Sequence, residues 1–141
     1  MAVSYETLEL DVQSVIFNLI KDNLTTSAKV LDGIPNNLMK GIGFPYVLVR
    51  SPVRLSDTPL TNGLREITIS VPIHVYVKDK ESILRTLLGE IMGILKNNQV
   101  TTRENNIFRF MGVGATPHDY EDRNNKIYSV IMNIRYRVVL W

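Results

Sequence analysis

Two histidines, His74 and His118, stand too far apart to form a zinc signature of the H-E-x-x-H kind, and no cysteine occurs anywhere in the 141 residues. Thiolate metal sites, cysteine nucleophiles and disulfides are excluded together. His74 falls on the polar side of an alternating run and reads as a surface or subunit-contact imidazole. The run His118, Asp119, Tyr120, Glu121, Asp122 could offer carboxylates to calcium or magnesium, but it lacks the D-x-[DN]-x-[DN]-G loop grammar, and a solvated loop tip is the simpler reading. Gly41 and Gly43 precede a strand instead of joining a strand to a helix, and no lysine-serine pair follows, so they form no phosphate loop. Gly112 and Gly114 mark a bulge or a close backbone approach. Gly89 and Gly93, four apart on a helix, each cost roughly 1 kcal/mol relative to alanine and predict close packing of a strand or second helix there. Arg103, Arg109, Arg135 and Arg137 could form a basic stripe with Tyr128 and Tyr136 near in sequence. Alternation, however, puts the tyrosines on the other face, and a nucleic-acid platform needs stacking and phosphate neutralisation on one surface. No catalytic, cofactor or metal set emerges, and the chain is not expected to be an enzyme.

The elements that would position these residues follow from periodicity. Leu8, Val12, Val15, Ile16, Leu19, Ile20 and Leu24 recur at spacings of three and four, with Glu9, Gln13, Lys21 and Asp22 off the stripe, which predicts an amphipathic first helix. A short strand at Ala28 to Leu31 leads to turn formers from Asp32 to Asn37. Phe44 to Arg50 is aromatic and β-branched and predicts a strand. Val53 to Leu64, with Asp57, Pro59, Asn62 and Gly63, reads as an extended loop that turns Leu55 and Leu60 outward as a contact surface. From Arg65 to Lys78 the alternation is unbroken, with Ile67, Ile69, Val71, Ile73, Val75 and Val77 on one side. Pro72 in its middle predicts a sheet edge or a bulge there. Asp79 can cap a second helix with the stripe Ile83, Leu84, Leu87, Leu88, Ile91, Met92 and Leu95. A strand at Ile107 to Val113, a charged loop at Thr116 to Lys126 and a long strand at Ile127 to Trp141 close the chain. Helix, strands, helix, strands predicts an α+β fold in which an antiparallel or mixed sheet carries two helices on one face, as a single domain over 1–141.

Composition narrows the function classes. A hydrophobic fraction of 45% and a charged fraction of 21% suit a globular domain that builds its own core. Sixteen basic and fourteen acidic residues leave a net charge of +2, which does not mark nucleic acid as the partner. No basic and apolar leader opens the chain and no apolar run is long enough to span a bilayer, so the expectation is synthesis in the cytoplasm without a membrane partner.

The order and spacing of these elements resemble the tail-terminator, or tail-completion, proteins of long-tailed bacteriophages. The likeness runs over nearly the whole chain: the first helix, Gly43 to Val49 with its Phe44, Pro45, Tyr46 opening, the long loop before Ile67 to Val77, the helix at Ser82 to Leu95 and the closing strand pair. Tyr76 stands roughly where family members often carry tryptophan. The resemblance implies a homo-oligomeric ring, usually of six copies, at the head-proximal end of the virion's tail. The ring would cap the tail tube protein, meet a connector or neck protein and let DNA pass without sequence-specific binding. On this reading the contact between copies falls to Phe44, Tyr46, Leu55, Leu60, Pro72 and Tyr76. The acids that would line the channel are Asp119, Glu121 and Asp122, or Asp57. A head-tail connector or minor tail protein shares these features, and a small nucleic-acid-binding module is the reading from a different class.

Overall fold

The apolar stripe of the first helix is spent on one surface. In the computed structural model, which describes residues 5–32, 45–78, 80–102, 106–122 and 125–140, α1 runs Tyr5–Asn23 and buries Leu8, Val12, Ile16 and Ile20. The second helix, α2 at Glu81–Asn97, buries Leu84, Leu87, Ile91 and Leu95 in the same way. Both stripes meet one face of a mixed sheet, the layered α+β arrangement that the periodicities predict. Lys80 holds the N-cap position of α2 without a side-chain hydrogen bond; the capping role expected of Asp79 lies outside the described residues.

The sheet is organised by β4, Arg65–Lys78. Its six alternating apolar residues are buried beneath the helices, and β7, Asn125–Leu140, pairs with it antiparallel along its full length, Ile67 opposite Val138 and Val77 opposite Tyr128. The other flank of β4 is shared. β2, Tyr46–Val49, takes Ile73 to Tyr76, and β3, Val53–Pro59, takes Arg65 to Ser70. β1, Lys29–Asp32, lies parallel to β2 at one end of the sheet; β6, Ile107–Asp122, and the two-residue β5, Val100–Thr101, lie at the other.

Four expectations change. β4 is an interior strand, not an edge. Pro72 is tolerated there because a strand residue's N–H and C=O point to the same side, and its carbonyl accepts from the Arg50 amide at 2.9 Å, in the gap where the chain leaves β2 for β3. The missing donor therefore faces a crossing, not a ladder. Val53 to Leu64 is a hairpin arm and turn. The arm gives no apolar signal because Arg54 and Asp57, which pair with residues of the helix-covered side of β4, carry ions where a core strand carries valines. Its turn at Thr61–Gly63 uses positive φ at Asn62 and Gly63, 64° and 78°. Of the expected loop Thr116 to Lys126, Thr116 to Asp122 is the end of β6 and Asn125 to Lys126 the start of β7, paired with each other; residues 123–124 lie outside the described residues. Gly89 and Gly93 have no heavy atom within 4 Å of where a Cβ would stand, so nothing in the described chain packs closely on them. Gly112, by contrast, sits at a bulge where the register of β6 shifts, as its spacing predicts.

Gln13 is the polar residue that periodicity misplaced. It is buried, and its Nε2 donates to Asp32 Oδ1 at 2.6 Å and to the Val49 carbonyl at 3.1 Å. It thereby ties α1 to the paired ends of β1 and β2. Gln13→Ala would strand a buried carbonyl and is expected to cost about 1–3 kcal/mol in a urea titration, whereas Asn18→Ala on the exposed side of α1 should shift stability by no more than about 0.5 kcal/mol.

Candidate functional site

With the helices on one side, the other face of the sheet holds the residues of interest. At the β2 end, Tyr46 stacks on Tyr76 with ring centroids 4.7 Å apart and planes 21° from parallel. The His74 ring lies beside them, its Nδ1 3.4 Å from the Tyr76 hydroxyl. Burial lowers the His74 pKa and the nearby Arg50 charge lowers it further; burial raises that of Tyr76 against the pull of Arg50. A neutral imidazole with no carboxylate hydrogen bond among the described residues is a packed polar group and lacks the orienting acid that proton-transfer sites use.

At the β6 end the face is basic. Arg109 sits directly across from Arg137, and Arg135 pairs across from Gly112, its guanidinium 3.9 Å from the position a Cβ on that glycine would take. Among the described residues none of the three is in an ion pair. Tyr136 faces the helices and is buried, as alternation predicts, so the basic strip has no stacking surface from it. Arg103 lies outside the described residues. Around the strip are exposed apolar side chains: Val53, Met111 and Val139, with Leu55 at 54% exposure where the register of β3 shifts and Leu60 at 39% at the start of its turn. Arginine with exposed methionine and aliphatic side chains is the composition of a protein contact.

The proposed contact residues thus separate. Leu55 and Leu60 are exposed together on the β3 arm. Tyr46 is fully buried within the chain, locked between its ladder and Tyr76, and presents nothing to a partner. Pro72 and Tyr76 are half-buried, and Phe44 lies outside the described residues. The acids separate too. Asp57 is tied up: Arg65 grips both its oxygens at 2.9 and 2.7 Å, and Arg54, itself bound to Glu9 at 2.5 Å, approaches at 3.6 Å. Asp119, Glu121 and Asp122 lie near the tip of the β6 and β7 hairpin, opposite Tyr128, Lys126 and Asn125. Glu90 is a further acid with a structural task, accepting from the amides of Thr25 and Thr26 and from the Thr25 hydroxyl, which lowers its pKa and joins α2 to the turn after α1. Among the described residues no three His, Cys, Asp or Glu side chains gather as a metal site would require, and no helix is long and apolar enough to cross a membrane.

No protein family's sequence pattern matches the chain, and no curated protein sequence does. Among solved structures it is similar to a chain from the virion of a native gene transfer agent particle, at a TM-score of 0.60 and 15% identity, covering 97% of this chain and 100% of that one. At that identity the likeness is one of fold.

Two measurements check the electrostatics. Because the folded-state pKa of His74 lies below its ordinary 6.5, the unfolded chain binds the proton more readily, and stability falls as pH drops from about 6.5. Urea midpoints at pH 7.5 and pH 5 should differ more for the native chain than for His74→Asn. Opposed like charges on neighbouring strands are destabilising, so Arg137→Thr should raise stability by about 0.5 kcal/mol at low salt, and the gain should shrink in 1 M salt.

Proposed function

We propose that the chain is a structural subunit of a tailed, phage-like virion, a tail terminator that forms a ring of about six copies on the head-proximal end of the tail tube. The observation that carries this reading is the end-to-end likeness of fold to a chain of a gene transfer agent virion. It agrees with the order of elements that resembles the tail-terminator family. The exposed aliphatic residues of the β3 arm and sheet face suit a subunit that buries them on assembly. Its partners are copies of itself, the tube protein below and a connector or neck protein above, and DNA passes through the ring. Of the candidate channel acids, Asp119, Glu121 and Asp122 suit the role better than Asp57, whose charge is already answered by Arg54 and Arg65.

Native mass spectrometry over a concentration series, with electron microscopy of the same samples, should reveal a closed ring, either of the protein alone or on purified tail tubes. A chain that stays monomeric alone and is not recruited to tube ends rules the reading out. Replacing the three arm acids by lysine should slow genome ejection, and unchanged ejection removes them from the channel.

The three arginines, which have no ion-pair partner among the described residues, favour one second reading, a face that binds a polyanion. Labelled DNA should then bind weakly, with an affinity that falls steeply with salt and is lost in Arg135→Ala/Arg137→Ala.

A further inference from the structure

The sheet ends differently on its two sides. β1 closes one side with four residues. On the other, β5 covers β6 only at Ile107 and Phe108, and from Arg109 to Asp122 the outer edge of β6 faces no strand among the described residues. Such an edge is a row of unanswered N–H and C=O groups, and monomeric proteins guard it with charge, proline or a covering element. Here the stretch from Phe110 to Thr116 contains no charged residue and no proline; its one irregularity is the bulge before Gly112.

The helix layer also stops short of it. α2 packs over β4 and β7, and Phe110 and Val113 on the helix side of β6 are only partly covered. Where α2 ends, a cleft of about 440 Å³ opens beside the start of the free edge, lined by Leu95, Phe108, Phe110 and Tyr136 with Lys96 and Arg109 among its other residues. Among the described residues the buried Tyr136 hydroxyl has no hydrogen-bond partner. A free edge beside a cleft lined in part by apolar side chains is the arrangement used in strand addition, where main-chain bonds supply affinity and a pocket reads one side chain.

We propose that a second copy of this chain adds a strand to β6 between Phe110 and Thr116, seating a side chain in the cleft and carrying the sheet from one subunit into the next. This rests on the self-assembly reading. An uncharged edge attracts backbone, not a polyanion, and among the described residues the same sheet ends on its other side in a second, unlike edge at β1. Joining unlike edges head to tail is the kind of contact that closes into rings, whereas pairing β6 with itself stops at a dimer.

The test uses Gly114→Lys with Thr116→Lys. A Cβ at Gly114 meets nothing within 4 Å and Thr116 is exposed, so the variant should melt within a few degrees of the native chain. It should fail to assemble in native mass spectrometry, while hydrogen exchange of amides 110–116 in the native assembly should slow at least tenfold relative to the dilute monomer. Native-like assembly of the lysine variant, or unprotected 110–116 amides in the assembled protein, overturns the strand addition and leaves the ring reading standing. A native chain that remains monomeric at millimolar concentration overturns it as well, and the ring reading then falls only if tail tubes fail to recruit the protein.

Discussion

β4 is the strand on which the rest of the chain depends. It is covered by helices on one side, flanked along its whole length by β7, and flanked on its other edge by β2 and β3 in succession. Each of its six buried Ile and Val side chains contributes on the order of 1.5–3 kcal/mol relative to exposure, before the entropy of ordering it is subtracted. A slip of one residue in its register would turn all six outward, so the hydrophobic pattern sets the pairing of every strand that touches it. Pro72 survives at its centre for the same reason that β2 and β3 are separate strands: the chain passes from one to the other opposite the one position that has no donor to offer.

Wherever an element rests on that buried face, periodicity alone located it. α1, α2, β4 and most of β7 are legible because burial forces a spacing of 3.6 or 2 on their apolar residues. The arms that reach beyond the helices obey no such rule. β3 meets the helix side with Arg54 and Asp57, and β6 beyond Thr116 runs Pro117, His118, Asp119, Tyr120, Glu121, Asp122 without apolar alternation, so both read as loops. Gln13 failed in the opposite sense. A lone polar residue beside an apolar stripe looks solvated, and its burial depends on acceptors at Asp32 and Val49 that are remote in sequence.

The candidate site was legible by residue type but not by relationship. Alternation separated the arginines from the tyrosines of β7 correctly. What it could not supply was the cross-strand opposition of Arg109 and Arg137, the double grip of Arg65 on Asp57, or the enclosure of Tyr46, since each is fixed by register or by a stacking partner. Short polar loops and strand openings look alike in sequence whether they end in solvent, in a salt bridge or in a core.

The distribution of unanswered groups is itself informative. Across the interior, polar side chains have found partners: Gln13 on two acceptors, His74 beside Tyr76, the β3 ions among themselves. Among the described residues, the buried side-chain atoms without partners, Tyr136 Oη, Thr102 Oγ1 and Asn106 Nδ2, come from the region of β5, β6 and β7. Backbone that is unpaired along β6 among the described residues, and arginine charge unanswered on the face away from the helices, put the open polar groups at the β6 end of the sheet. Burying polar groups without partners costs about 1–3 kcal/mol apiece. The basic strip points the same way. Arg109 and Arg137 repel each other across a ladder that folding requires, and a counter-charge or contact from outside the chain is the route by which that repulsion is relieved.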